Sequence, residues 1–169
     1  RQRQMCIRDR LQRVYDRARM CKELDTIVVL TDDNRIRQYC SKNEIRCIVV
    51  EEDCITGTDR CSEALALCDG NIFVNIQGDE PLINPDAVDK LIREHDLNIG
   101  VSNAYVKVTD DYKLHDKNVV KVVTDVNSNA VYYSRLPIPY LQKEEVTFKQ
   151  QLGLYVFNRS MLELFPRLI

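Results

Sequence analysis

An uninterrupted apolar run, TIVVLT at 26–31, constrains the fold of this chain most. A strand with one face in solvent alternates apolar and polar residues, whereas a strand covered on both faces reads as a continuous apolar stretch. Further strands are predicted at 46–50 and 71–76, and helices are predicted at 11–18, 33–43, 58–68 and from Asn84, the cap before Pro85. This alternation predicts an α/β fold with a largely parallel sheet.

The pattern changes beyond the middle of the chain. A long strand is predicted at 98–108, and the segments 119–125 and 130–135 read as the two arms of a β-hairpin. A last strand at 151–157 precedes a helix that starts at residue 159. We therefore expect one α/β domain that carries a β-hairpin excursion.

Composition argues against two kinds of partner. The chain has 169 residues, which suits one domain, and its 24 Lys and Arg against 26 Asp and Glu leave a net charge of 24 − 26 = −2. A nearly neutral chain offers no electrostatic reason to bind nucleic acid or an anionic membrane surface. No apolar run approaches the roughly 20 residues that span a bilayer. We expect neither a nucleic-acid nor a membrane partner.

The first ten residues, RQRQMCIRDR, differ from the rest of the chain. They hold four arginines, show little apolar periodicity, and resemble the translation of a sequencing-library adaptor. We therefore expect 1–10 to be a non-native leader and 11–169 to be the domain. A native basic cap on the following helix is the alternative interpretation.

Polar residues follow the strand in VNIQGDEPLI at 74–83. In doubly wound sheets, ligands bind beyond the carboxyl ends of the strands, where Gln77, Gly78 and Asp79 stand. Gly78 allows close approach of a ligand to the backbone. The Asp79 carboxylate suits Mg²⁺, which takes one or two carboxylates together with substrate phosphates. A polar turn uses the same residue types, so the pattern alone leaves both interpretations open.

Two other stretches have functional and structural interpretations. Thr56, Gly57 and Thr58 lead into a helix and offer N–H groups and hydroxyls to an anion or to a polar base edge. Thr58 as the helix cap is the structural alternative, and the two interpretations are compatible. Arg135, at the end of a hairpin strand, can clamp a carboxylate with two parallel hydrogen bonds. A plain surface arginine is the alternative there.

Together these stretches resemble a known family. The segments that carry the resemblance are TGTDR (56–60), VNIQGDEPLI (74–83), NVVKVVTD…AVYYSRLPIP (118–139) and LGLYVF (152–157). With them the chain resembles the 3-deoxy-manno-octulosonate (Kdo) cytidylyltransferases, the CMP-Kdo synthetases, over 11–169. QGDEP after a strand is the most specific of these segments. The resemblance implies the nucleotide-diphospho-sugar transferase fold, with a Rossmann-like, mostly parallel sheet.

The resemblance also implies a reaction. Members of the family transfer CMP from CTP to the anomeric hydroxyl of Kdo and release pyrophosphate, with Mg²⁺ as the cofactor. The sugar hydroxyl attacks the α-phosphate without a covalent enzyme intermediate, so catalysis depends on positioning and charge neutralisation. The expected setting is lipopolysaccharide biosynthesis in the cytoplasm, with a homodimeric enzyme and with CTP and Kdo as substrates.

Eight residues acquire roles by resemblance. Asp79 is expected to ligate Mg²⁺, and Gln77 is expected at the junction of sugar and nucleotide. The other six are expected substrate contacts: Thr56, Gly57 and Thr58 in the cytidine pocket, Arg135 on the Kdo carboxylate, and Tyr155 and Gln151 on the sugar side.

The chain departs from the family pattern at several places. Cys54 and Gln151 stand where the family usually has histidines, and Gln151 donates a hydrogen bond but does not titrate near neutral pH. The family's Arg-Leu-Pro-Gly-Lys triphosphate loop and a C-terminal metal-binding aspartate have no match. We therefore expect the parent protein to be the enzyme and this polypeptide alone to be inactive. A cytidylyltransferase for another acidic sugar, such as sialic acid, and a non-catalytic domain of the same fold are the alternatives.

Overall fold

The computed structural model describes residues 7–50, 54, 56–140 and 147–167. Residues 1–6 of the predicted leader, position 55 and the end of the last predicted helix lie outside these ranges. The described residues form two compact units: the first runs to Ser102 and resumes at Leu154, and the second is Asn103–Gly153.

Every predicted strand and helix is present, and most are shorter than predicted. In chain order the elements are α1 (Ile7–Ala18), β1 (Val29–Thr31), α2 (Asn34–Lys42), β2 (Cys47–Val49), α3 (Gly57–Glu63) with a 3₁₀ turn (Ala64–Leu67), β3 (Ile72–Ile76), α4 (Pro85–Arg93), β4 (Val101–Val108), α5 (Asp111–His115), β5 (Lys121–Thr124), β6 (Ala130–Ser134), β7 (Phe148–Asn158), α6 (Arg159–Leu164) and a 3₁₀ turn (Phe165–Arg167). The short helix α5 had no counterpart in the sequence prediction. Because α1 begins at Ile7, the helix includes the last residues of the predicted leader.

Side-chain caps fix where the helices of the first unit begin. The Asp33 carboxylate accepts a hydrogen bond from the Arg35 N–H at 2.7 Å, and α2 begins at the next residue. Asn84 caps α4, and Pro85 follows at its first position, as predicted. These polar residues satisfy N–H groups that have no partner within the helix.

Strand pairing corrects the expectation of a mostly parallel sheet. In the first unit, β1 runs parallel to β2, but β3 runs antiparallel to residues 154–158 of β7, with Val74 opposite Val156. In the second unit, β5 runs antiparallel to β6 and to the first part of β7. β4 also pairs with β7. The α/β class is confirmed. The expectation of parallel pairing was wrong for β3 with β7, for β5 with β6 and for β5 with β7. Apolar runs predict that a strand is present but not the direction in which it runs.

Each unit has its own buried residues. In the first unit, Leu65, Phe157 and Leu162 form a core cluster that Phe73 and Met161 pack against. The Ser62 hydroxyl donates to the Leu162 carbonyl at 2.9 Å and so fastens α3 to α6. The second unit buries Leu114, Val122, Phe148 and, unexpectedly, Lys121.

The turn of the β5–β6 hairpin is closed by a single carboxylate. Asp125 accepts hydrogen bonds from the backbone N–H groups of Asn127 and Asn129 at 2.9 and 2.8 Å, and Asn129 also donates its side-chain amide at 2.9 Å. Ser128 has a φ of 68°, and Val126 is 99% exposed. The tip therefore holds its own conformation without burying an apolar side chain.

None of the helices in the described part of the chain combines the length and the apolar character needed to cross a bilayer.

Candidate functional site

The polar stretch after β3 forms a turn that leaves a carboxylate exposed. The Glu80 N–H donates to the Gln77 carbonyl at 3.1 Å, and Gln77, Gly78 and Asp79 are all exposed. Within the described residues, the Asp79 carboxylate has no hydrogen-bond or ion-pair partner. The turn interpretation and the ligand interpretation of QGDEP are therefore compatible, because the turn presents the carboxylate to solvent at the carboxyl end of a strand.

Gly78 has no structural requirement to be glycine. A Cβ atom at this position would meet no described atom within 4 Å, and the residue does not adopt a positive φ. The space that a side chain would occupy is open. A glycine that neither the backbone nor the packing requires is compatible with close approach of a ligand.

A capping box starts α3. Thr56 is the N-cap: its hydroxyl oxygen accepts from the Asp59 N–H at 3.2 Å, and the Asp59 carboxylate accepts from the Thr56 N–H at 2.7 Å. The cap is therefore Thr56 rather than Thr58, because only Thr56 has an acidic residue three positions later that can reach back. Thr58 lies in the first turn of α3, and its hydroxyl does not cap the helix.

Asn75 links this helix start to β3. It is 8% exposed, its Nδ2 donates to the Thr58 hydroxyl oxygen at 3.5 Å, and a Cβ at Gly57 would lie 3.7 Å from that nitrogen. Asn75 is also the pairing partner of Tyr155 on β7. Asn75 is not among the residues predicted from the sequence. The signal was a polar residue at a buried position of an otherwise apolar strand.

Arg60 of α3 forms an ion pair with Asp32, the residue that follows β1. Its Nη2 donates to the Asp32 carboxylate at 2.8 Å, with Arg60 mostly buried and Asp32 exposed. The first unit therefore brings together Thr56, Gly57 and Thr58 with Asn75 and Tyr155, while Gln77 and Asp79 lie in the turn that follows β3.

Tyr155 is half-buried against the core of the first unit. Its ring stacks on Phe157 with centroids 6.1 Å apart and an interplanar angle of 25°. This packing orients the ring of Tyr155, which is the residue predicted from the sequence to contact the sugar.

The remaining predicted contacts lie in the second unit. Arg135 is exposed, and its Nη1 donates to the Lys117 carbonyl at 2.9 Å; among the described residues it forms no ion pair. Gln151 is half-buried, and its Nε2 donates to the Leu152 carbonyl at 2.6 Å. Cys54 is, with Gln151, one of the two residues at which the sequence departs from the family pattern. It is half-buried in the first unit.

The described side chains include no group of three or more His, Cys, Asp or Glu residues placed to hold a metal ion. Asp79 would therefore supply a single carboxylate, and substrate phosphates or water would have to complete a Mg²⁺ coordination shell.

The fold is of the α/β class, and its polar side chains lie after β3 and at the start of α3, which are positions where α/β domains commonly bind small molecules. Residues 11–167 match the family model described as cytidylyltransferase, and the chain belongs to this family.

Curated relatives are similar over most of this chain. It is 37% identical over 158 residues to the 3-deoxy-manno-octulosonate cytidylyltransferase of Solibacter usitatus, covering 90% of this chain and 62% of the relative. It is 36% identical over 156 residues to the enzyme of the same name from Chlamydia felis, covering 90% and 61%. It is 34% identical over 165 residues to the 8-amino-3,8-dideoxy-manno-octulosonate cytidylyltransferase of Shewanella pealeana, covering 94% and 67%. The chain thus spans about two thirds of these relatives.

Solved structures agree with the fold. The structure of CMP:2-keto-3-deoxy-manno-octonic acid synthetase complexed with CTP matches with a TM-score of 0.85 and 29% identity, covering 95% of this chain and 68% of that one. HddC from Yersinia pseudotuberculosis matches with a TM-score of 0.63 and 14% identity, which shows the fold alone. The predicted family and the α/β fold class are confirmed.

Proposed function

We propose that the whole protein transfers CMP from CTP to the anomeric hydroxyl of Kdo, giving CMP-Kdo and pyrophosphate for lipopolysaccharide biosynthesis. The observation that carries the proposal is the exposed Asp79 carboxylate in the turn after β3, which has no partner among the described residues, in a chain that belongs to the cytidylyltransferase family. The Kdo enzymes among the relatives and the CTP in the similar structure support this choice of substrates.

The reaction is a single displacement. The anomeric oxygen of the sugar forms a bond to the α-phosphorus of CTP while the bond to pyrophosphate breaks, and the hydroxyl proton is released. Because no covalent enzyme intermediate forms, the protein contributes by holding the reacting groups in place. Thr56, Gly57 and Thr58 would contact the cytidine, with Asn75 fixing the helix start that carries them. Gln77 would lie at the junction of sugar and nucleotide.

Asp79 fits a role as Mg²⁺ ligand. Its carboxylate is exposed and unpartnered within the described residues, and Mg²⁺ in nucleotide sites takes one or two carboxylates plus phosphate oxygens. When bound, Mg²⁺ neutralises negative charge on the transferring phosphate.

Arg135 would bind the carboxylate of the sugar acid. Its guanidinium is exposed and forms no ion pair among the described residues, so it has donors available for a planar anion. Tyr155 and Gln151 would contact the sugar as well. We also propose that the protein acts in the cytoplasm and that it is a homodimer. Sedimentation of the purified full-length protein tests the oligomeric state.

The deciding experiment measures pyrophosphate release by the full-length protein from CTP and Mg²⁺, with Kdo, its 8-amino analogue and sialic acid offered separately. We expect release with Kdo, and we expect Asp79→Asn to lower kcat by about a hundredfold or more. Asp69→Asn, at another exposed aspartate of the same unit, is the matched control and should retain activity. No release with Kdo would overturn the proposal.

The 8-amino analogue is the second candidate substrate. It is favoured by the similarity to the Shewanella enzymes, which are named for that sugar. The two sugars differ by an amine in place of a hydroxyl at carbon 8. A higher kcat/KM for the amino sugar than for Kdo would select the second candidate.

A further inference from the structure

Lys121 is a fully buried lysine that the proposed reaction does not yet explain. It is 0% exposed, and its Nζ donates to the carbonyls of Asp116, Val119 and Arg135 at 2.7, 2.9 and 3.0 Å. An ammonium group has three hydrogens, so these three acceptors satisfy it completely. Burial lowers the pKa of Lys121, and the nearby Asp116 carboxylate opposes that shift.

Burying a cation is costly unless hydrogen bonds or an opposite charge replace its contacts with water. Moving an ammonium out of water carries a large desolvation penalty, and an apolar side chain would often fill such a position with equal or greater stability. Val122, the next residue on β5, is buried without any such cost. The three carbonyl contacts of Lys121 are therefore the feature to explain.

Those contacts join two separate pieces of backbone. Asp116 and Val119 lie in the turn before β5, whereas Arg135 follows the end of β6. Arg135 is held a second time, because its Nη1 donates to the Lys117 carbonyl in that same turn at 2.9 Å. The main chain and the guanidinium of Arg135 are thus both fastened to the segment 116–119, and Lys121 makes the main-chain connection.

We propose that Lys121 is a positioning residue for Arg135, holding the backbone after β6 so that the guanidinium is oriented for the carboxylate of the sugar acid. This inference rests on the proposed function, in which Arg135 binds that carboxylate. Bidentate binding of a planar carboxylate depends on the orientation of the guanidinium, and a small misplacement of a binding group is costly. No other described side-chain amine or guanidinium donates to the Arg135 carbonyl.

The test replaces Lys121 in the full-length protein by methionine, whose unbranched side chain is one atom shorter and which removes all three donors. We expect the KM for Kdo to rise by about tenfold while the KM for CTP changes by less than about twofold. Lys149→Met is the matched control. Lys149 is a half-buried lysine of the same unit whose Nζ donates to the Thr124 hydroxyl and lies 4.7 Å from the centroid of the Tyr105 ring, away from Arg135. It should leave the KM for Kdo unchanged.

A double-mutant cycle separates positioning from a general structural effect. If Lys121 acts through Arg135, then Lys121→Met should raise the KM for Kdo no further in an Arg135→Ala background. Additive effects, an unchanged KM for Kdo, or the same rise in Lys149→Met would each overturn the inference. If Lys121→Met does not fold, Lys121→Leu, which also removes all three donors, takes its place under the same criteria.

The failure of this inference is distinct from failure of the proposed function. If the full-length protein turns over Kdo normally and Lys121→Met leaves the KM for Kdo unchanged, the positioning role alone is overturned. A parent protein that releases no pyrophosphate with Kdo overturns the proposed function and the positioning role with it.

Discussion

At the scale of single residues, two glycines of the first unit illustrate opposite requirements. Gly100 has a φ of +85°, which favours glycine, and a Cβ there would lie 2.9 Å from Cε of Met161, so the end of that side chain would have to move. Gly78 has neither constraint. Within the described residues nothing makes a side chain at Gly78 unfavourable, so a bound ligand is the expected reason for a glycine there.

We therefore expect Gly78→Ala to leave the free energy of unfolding unchanged or to raise it by up to about 1 kcal/mol, because alanine restricts the unfolded chain. The same substitution should lower pyrophosphate release by about tenfold or more, because the added methyl group meets the substrate. Gly100→Ala is the contrast, with an expected loss of about 1–3 kcal/mol in thermal unfolding. Full activity in Gly78→Ala would contradict a close ligand approach at this residue.

Asn75 gives a second residue-scale prediction. Replacing it with leucine keeps a similar volume and removes the donor to Thr58. We expect the KM for CTP to rise by about three- to tenfold and the KM for Kdo to stay within about twofold, because Asn75 fixes the segment proposed to contact cytidine. Steady-state kinetics on the full-length protein measure both constants, and an equal rise in the two would argue against a nucleotide-side role.

At the scale of elements, α4 is fastened to the turn after α1 by a buried carboxylate. Asp89 is 3% exposed and accepts from the Lys22 N–H at 2.9 and 3.0 Å and from the Glu23 N–H at 3.1 Å. Burial alone would raise the pKa of Asp89, but these backbone donors outweigh it and hold the pKa below its usual value. The Arg93–Glu23 ion pair at 2.9 Å adds an exposed contact between the same two segments.

This lowered pKa makes the contribution of Asp89 dependent on pH. A carboxyl group with a depressed folded-state pKa stabilises the protein above its unfolded-state pKa of about 3.9, and the contribution is lost as the pH falls through the folded value. We expect Asp89→Asn to lower the free energy of unfolding by about 2 kcal/mol at pH 7, because a neutral amide replaces a charged acceptor. The difference from the unmodified protein should shrink below about pH 4.

Thermal unfolding at pH 7 and at pH 3 measures this difference. Asp86→Asn is the control, since Asp86 is exposed on the same helix; its effect at pH 7 should stay below about 1 kcal/mol. A difference for Asp89→Asn that is equally large at both pH values would exclude the charge as its origin.

The elements also show what could be predicted from local sequence. Asn84 with Pro85 gave the start of α4 correctly because capping depends on neighbouring residues. The cap of α3 could also be predicted, since Asp59 follows Thr56 by three positions, although the sequence prediction named Thr58 as the candidate cap. TIVVLT was expected to be a strand covered on both faces, yet only Val29–Thr31 forms β1, and Val29 and Leu30 are half-buried.

At the scale of the whole molecule, the family could be predicted from the sequence and the strand directions could not. QGDEP and YYSRLPIP carry the resemblance because each combines several constrained residues in a short space. The antiparallel pairing of β3 with β7 joins residues about 80 positions apart, and no local pattern encodes it. Lys121 was missed for a related reason: a lysine within VVKVV suggests an exposed edge, and only the tertiary structure supplies its three carbonyl acceptors.

The turn that Asp125 closes has a practical use. Because the tip is held by its own hydrogen bonds and Val126 projects almost wholly into solvent, Val126→Cys would offer a handle for a fluorescent dye in the second unit. A dye there would label the second unit without any substitution in the residues proposed to bind Kdo. The same tip is a natural place to splice in an affinity tag, since the arms of the hairpin end before it.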